Sequence, residues 1–202
     1  MCKRSLRGVR VKRLSPITME QKIDLSKFNN SWFNSGGGSL KRILWYFSNV
    51  LFIKNGWNPS SGLKAVVLRA FGAKIGRGVM IKPCVNVKYP WNLEVGDYAW
   101  IGENVWIDNL VKVSIGNNAV ISQGALLLCG NHNYKKPTFD LMVKEIDIQE
   151  GAWIGANCTV CQGVTAHPYS MLAVGSVASH DLDAYGIYRG NPAVKVKERV
   201  IE

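Results

Sequence analysis

The 202-residue chain has no apolar run long enough to cross a bilayer. Its most apolar stretch, Leu40 to Ile53, is broken by Lys41, Arg42, Ser48 and Asn49, whereas a spanning helix needs about 20 predominantly apolar residues. The first residues also lack the apolar centre of a secretory signal. Cysteine is scarce and odd in number: Cys2, Cys84, Cys129, Cys158 and Cys161. With no signal and an unmatched thiol, a disulfide framework is excluded, and free thiols in a reducing, cytoplasmic compartment are expected. Acidic side chains are in deficit, 14 against 25 basic, for a formal net charge of +11. The nucleic-acid reading this invites fails, because Lys3, Arg4, Arg7, Arg10, Lys12 and Arg13 crowd the first thirteen positions and leave the folded part only modestly basic. Residues 1–22 are read as a solvated basic leader, with peripheral membrane contact as its alternative.

Helical periodicity is missing too. From Ile75 to Ala178 an apolar residue returns every six positions: Ile75, Ile81, Val87; Val95, Ile101, Ile107; Ile115, Ile121, Leu127; Ile148, Ile154, Val160; Ala166, Leu172, Ala178. A small or β-branched residue follows most of them by four, as at Val79, Ala99, Ala125 and Cys158, and the same register puts Trp91, Val111 and Asn131 at fourth positions. Both sets are expected to point inward. Apolar residues at i, i+4 and i+6 make no helical face, and interior glycines would cost a helix about 1 kcal/mol each. Gly or Asn recurs one or three places after the anchors, as at Gly102 and Gly151, where a sharp corner asks for positive φ. A short strand and a corner, repeated three times per turn, give an all-β solenoid of about five coils whose stacking buries a continuous core.

The register slips after each of the first three coils. Leu93 and Glu94, Val113 and Ser114, and the stretch Asn133 to Asp147 are surplus to three hexapeptides, and all leave from one corner. Insertions on one face of a solenoid often form its binding face. His132 stands where the longest excursion begins, and an imidazole is the side chain suited to take a proton near neutral pH. The other two histidines, His167 and His180, fall in the terminal coil on different faces, away from that corner, which argues against a zinc site of the carbonic anhydrase kind. Cys158 and Cys161 have C-x-x-C spacing, but the register turns the two thiols apart.

The hexads, together with Gly130-Asn131-His132-Asn133-Tyr134 and the terminal Gly190-Asn191-Pro192-Ala193, resemble the left-handed parallel β-helix hexapeptide-repeat acyltransferases, and among them the colanic acid, maltose and galactoside O-acetyltransferases. The resemblance implies the left hand, which the spacing does not fix. It implies acetyl-CoA as donor, a hydroxyl of a sugar or saccharide precursor as acceptor, and His132 as general base. Asn109, Asp108 and Trp153 would meet the acceptor, with Asp108 or a backbone carbonyl setting the imidazole tautomer. Gly155, Ala156 and Val174 would offer backbone to the pantetheine arm, with Ser179, His180, Lys195 and Lys197 near the nucleotide phosphates. It further implies a homotrimer with active sites between subunits, with no metal and no nucleic acid. Ala166-His167-Pro168 departs from the usual Ile-Gly start of a hexapeptide. A small saccharide or antibiotic as acceptor, or a solenoid serving as a non-enzymatic scaffold, is the rival reading.

The domain layout expected is the leader, a helical N-terminal cap over 23–73, the β-helix over 74–183 with its excursion at 133–147, and a tail over 184–202 that closes the coenzyme A groove. The cap is expected as two helices, over 40–53 and near 62–71, with docking at a bilayer surface as the rival reading of the first. An uncovered first coil would expose unpaired edge groups and apolar surface.

Overall fold

A computed structural model describes residues 22–202, so the basic leader over 1–21 lies outside the described residues. The hexads wind through three parallel sheets, one per face of a prism. The first face stacks Lys74–Ile75, Leu93–Val95, Val113–Ile115, Ile146–Ile148 and Thr165–Ala166. The second stacks Met80–Ile81, Trp100–Ile101, Val120–Ile121, Trp153–Ile154 and Met171–Leu172. The third stacks Asn86–Val87, Trp106–Asp108, Leu126–Leu128, Thr159–Val160 and Val177–Ala178. Anchor pairs with anchor throughout, as in Ile75 with Val95 and Val95 with Ile115. Five complete coils result, followed by part of a sixth. Leu182 bridges to Ala166, Gly186–Gly190 joins the second face beside Met171–Leu172, and Ala193–Glu198 folds back on it antiparallel. This is the architecture of the left-handed hexapeptide β-helix.

Every anchor is buried, and so are the fourth positions from Val79 to Ser176 with three exceptions. Trp91 and Val111 are half-buried and Asn131 is exposed, because at those points the chain is leaving the coil. The surplus pairs are not outward loops. Leu93, Val113 and Ile146 are buried, and they pair with one another in register two residues ahead of the anchors. Strand alternation explains this: a residue two before an inward anchor also points inward. The excursion therefore ends before Ile146, and its first strand, Gly130–His132, pairs antiparallel with Leu141–Val143 to make a hairpin.

Corner glycines do two different jobs. Gly151, three places after its anchor, has φ +63°, as expected. Gly102, one place after its anchor, has no positive φ; a Cβ there would lie 2.5 Å from the Gln123 nitrogen of the next coil, so close stacking is what demands it. His167 replaces this kind of glycine where the next rung has shrunk to the single Ala166–Leu182 bridge, and the coil runs on undisturbed.

The cap consists of α1 (Ser39–Ser48), a π-helical turn (Asn49–Ile53) and α2 (Ser61–Ala70). Along the prism each anchor carbonyl accepts from the coil before it, as Val95 O does from Gly76 N at 2.7 Å. The first coil has no predecessor, and the cap supplies one donor for each face. Arg69 donates to Ile75 O from Nη2 at 2.8 Å, Lys64 Nζ to Ile81 O at 3.1 Å, and Trp45 Nε1 to Val87 O at 3.0 Å. Lys64 is fully buried for this purpose, and burial lowers its ammonium below the ordinary lysine range.

Replacing Trp45 by Phe keeps a ring against Phe71 (centroids 5.1 Å apart) but leaves Val87 O without its donor. The expected loss is about 1–3 kcal/mol of stability, read as a lower thermal midpoint. An unchanged midpoint would show that the indole bond contributes nothing.

Candidate active site

The corner between the third face and the next coil's first face is where the chain is longest and most polar. Its successive rungs carry Tyr89, then Asp108 to Leu110, then the hairpin that starts at Gly130. The hairpin is held down by Gln162 one coil on, whose amide nitrogen is oriented to donate to Met142 O at 3.0 Å and Cys129 O at 3.3 Å. Cys129 lies beneath it, and burial pushes its thiol up to about 12, so it fills space and is no nucleophile.

His132 ends the hairpin's first strand. Its Nδ1 lies 2.9 Å from Phe139 O, and its ring stacks on the Phe139 ring at 4.6 Å with 6° between planes. A carbonyl only accepts, so Nδ1 carries the proton and Nε2 bears the free lone pair. No protein partner engages Nε2 among the described residues. The imidazole is thus fixed in orientation and tautomer by the loop it opens, through a backbone carbonyl and not through Asp108.

Around His132 is a cavity of ≈ 910 Å³ lined by the corner residues Lys88, Tyr89, Asp108, Leu110 and Gly130, by Leu141 of the hairpin, and by residues 28–42 of the N-terminal arm. The arm crosses the mouth of the corner. Asp24 N donates to Pro137 O of the excursion at 2.9 Å, Trp91 Nε1 donates to Ser35 O, and Phe28 lies 5.7 Å from the His132 ring. Gly37 lies flat against Trp91, where a Cβ would meet the indole at 2.5 Å. Beside the cavity Lys88 Nζ pairs with the nearly buried Asp108 carboxylate, 2.8 Å from Oδ1. A free imidazole nitrogen and an ion-paired carboxylate therefore border one cavity.

The other expected site residues divide. Asn109 is fully buried, and its amide is consumed by Tyr89 one coil earlier: Oδ1 accepts from Tyr89 N at 3.0 Å and Nδ2 donates to Tyr89 O at 2.6 Å. Asn109 thus staples the corner with both ends of its amide. Trp153 lies on the second face, donating from Nε1 to Ser122 Oγ at 2.9 Å, in a separate cavity with Trp100. Gly155, Ala156 and Val174 occupy the corner between second and third faces. Ser179 and His180, bonded to each other at 3.1 Å, share the corner of His132 two coils further along, which corrects the expectation that His180 lies away from it. Even so, among the described residues no three His, Cys, Asp or Glu side chains come together as a metal site. Lys195 is held by Glu198 at 2.8 Å and Asp183 at 3.4 Å, while Lys197 is exposed. Gly190 to Ala193 form the turn of the terminal hairpin. No single chain brings these residues to His132.

The arm over 28–42, Lys88 and Phe139 were not singled out from the sequence. For the arm a sign existed: the run Asn29-Asn30-Ser31 through Gly38-Ser39 is dense in turn formers, and Asn29 and Asn34 each accept from the backbone two residues on. For Phe139, whose part is played by a backbone carbonyl, the residue type carries no sign.

No protein-family model matches the chain. Against curated proteins it is 37% identical over 179 residues to WcaF of Escherichia coli (strain K12), a protein named for acetyl transfer in colanic acid biosynthesis, covering 88% of this chain and 97% of that one. It is also 24% identical over 135 residues to the galactoside O-acetyltransferase of the same strain, covering 65% of this chain and 66% of that one. Among solved structures, a hexapeptide-repeat acetyltransferase of Vibrio cholerae O1 biovar eltor complexed with acetyl coenzyme A superposes with a TM-score of 0.75 at 20% identity, over 84% of this chain and 93% of that one. A maltose O-acetyltransferase from Clostridium difficile 630 gives 0.69 at 18% identity, over 81% and 90%. At such identities the likeness to the solved structures carries the fold.

Since both ends of the Asn109 amide serve Tyr89, Asn109→Ala is expected to cost about 1–3 kcal/mol of stability by leaving buried backbone groups unpaired, with the thermal midpoint falling. A variant of unchanged stability but raised acceptor KM would instead restore Asn109 as an acceptor contact.

Proposed function

Because the chain belongs to the hexapeptide-repeat acyltransferase family, we propose that it moves an acetyl group from acetyl-CoA to a hydroxyl of a saccharide unit used in exopolysaccharide or cell-surface polysaccharide synthesis. The observation that carries this reading is the His132 ring, locked by Phe139 O through Nδ1 with Nε2 free in a cavity large enough for a sugar. The 37% identity to a protein named for colanic acid biosynthesis supports the saccharide class.

In this reading Nε2 of His132 takes the acceptor hydroxyl proton as the oxygen attacks the thioester carbonyl. The tetrahedral intermediate collapses with loss of the thiolate, which receives that proton from the imidazolium. Phe139 O keeps accepting from Nδ1 throughout and so holds the ring in one orientation as Nε2 gains and loses the proton. Asp108, whose carboxylate lines the same cavity and pairs with Lys88, accepts from a second hydroxyl of the sugar and turns the reacting one toward His132. No covalent enzyme intermediate is required.

The donor residues reach His132 only if a neighbouring subunit supplies them, and a homotrimer is proposed for that reason. The outward side chains of the faces support it. On the first face they run Lys74, Glu94, Ser114, Asp147, Thr165; on the second they run Met80, Trp100, Val120, Trp153, Met171. One face is built for water and the other for contact. Trp100 and Trp153 are 53% and 38% exposed in the single chain, and apolar columns of this kind are what subunit interfaces cover.

Replacing His132 by Ala is expected to lower acetyl transfer by about 100-fold or more, followed as thiol release, while acetyl-CoA binding by calorimetry persists; near-normal turnover would remove His132 as base. Trp100→Glu is expected to yield monomers in analytical ultracentrifugation and to lose transfer with the trimer. A trimeric, active Trp100→Glu protein would refute the second face as the subunit contact.

A further inference from the structure

We infer that the capped end of the prism docks on an anionic lipid bilayer. The cap is turned inside out by the standards of a soluble helix. Over α1 and the π-helical turn, Trp45 and Ile53 are the buried apolar residues, and they face the first coil. The opposite side carries Leu40, Ile43, Tyr46, Phe47 and Leu51, each more than half exposed, with Trp57 94% exposed in the connection to α2. Since Trp45 reaches along the prism axis to Val87 O, that opposite side looks out along the axis, away from every coil. A scattered surface leucine needs no explanation, but a contiguous patch of large aliphatic and aromatic side chains does. Tyr, Trp and Phe beside aliphatic residues on a helix flanked by cations is the composition of a segment that lies in the bilayer interface. Among the described residues no helix is long and apolar enough to cross a membrane, so this contact is lateral.

Charge selects the occupant. Among the described residues, 22–93 contain eleven basic side chains and one acidic, whereas 94–202 contain eight basic and twelve acidic. Between Asp24 and Glu94 there is no carboxylate side chain at all. The molecule is therefore electrically polarised along its axis, and the positive end is the one that carries the apolar patch. Arg42 and Lys54 border the patch and are exposed. Two such ends brought face to face would repel, which disfavours a second copy as the cover, while an anionic surface attracts both the patch's borders and the basic leader. In a trimer whose threefold axis runs along the prism, all three caps would meet the same surface together and bind with avidity. Arg42 lines both the His132 cavity and the groove it forms with Ile43, Tyr46 and Phe47, so the bilayer would lie beside the acceptor cavity.

The test is flotation of the full chain with vesicles rich in phosphatidylglycerol and with vesicles of phosphatidylcholine alone. The wild type is expected to float with the anionic vesicles, less as salt rises, and weakly or not at all with the neutral ones. The double variant Phe47→Glu/Leu51→Glu, whose side chains line no part of the His132 cavity, is expected to bind at least about tenfold more weakly with its far-ultraviolet dichroism unchanged. Lys54→Glu, which leaves the apolar patch intact, is expected to weaken binding to the anionic vesicles alone. Wild-type protein that stays in solution with both lipids overturns the inference. So does a folded double variant that floats like the wild type, since the leader would then be acting without the patch, and so does a wild type that self-associates through the patch and ignores lipid. None of these readouts needs turnover, so they stand or fall apart from the acetyl-transfer reading.

Discussion

Backbone hydrogen bonds that run along the axis, from each coil to the next, are the interaction on which this molecule depends. Sheets of two- and three-residue strands have almost no stability of their own. Each rung holds because the coil before it donates amides to its anchor carbonyls and the coil after it offers carbonyls to its strand amides. Such a ladder has two ends, and its cost is concentrated there. The N-terminal end is closed by three side chains from the cap, Arg69, Lys64 and Trp45, one for each face. The far end shrinks to one bridge at Leu182 and a hairpin that turns back on the second face. Lys64 illustrates how strong the requirement is: an ammonium is taken wholly out of water to serve one carbonyl.

The same ladder explains what could be read from the chain before any coordinates. Anchors, coil number, cap helices and the excursion corner all follow from a period that six-residue stacking imposes on every rung, so Ile75 to Ala178 announce themselves. The meaning of Leu93, Val113 and Ile146 was hidden because alternation within a strand and the six-residue beat give the same residue two readings; pairing in register decides between them. Asn109 carries two readings for a related reason. An amide that can hold a ligand can equally hold the coil before it, and only the Tyr89 contacts distinguish the two. His132 was legible by position, while its partner was not, since the Phe139 carbonyl that meets Nδ1 leaves no mark in the residue type and the stacking of its ring depends on how the hairpin folds.

The corner is thus a composite of periodic and aperiodic parts. The regular coils provide rigid footing for Asp108 and for the start of the hairpin, and packed β-coils are stiffer than loops. The irregular hairpin contributes the carbonyl that sets the imidazole tautomer. Placing the base on the hinge between the two gives it the precision of the solenoid and the reach of a loop.

The arm has a consequence of its own. It walls the cavity with Phe28, Asn30 and Asn34, yet it touches the His132 ring only edgewise through Phe28 and is tied to the excursion through Asp24 and Pro137. On the proposed reading, the imidazole that takes the proton and the wall that faces the sugar are therefore written in separate stretches of sequence. Substitutions in the arm would then reshape that wall while the imidazole and its carbonyl stay as they are, so that the two could vary independently.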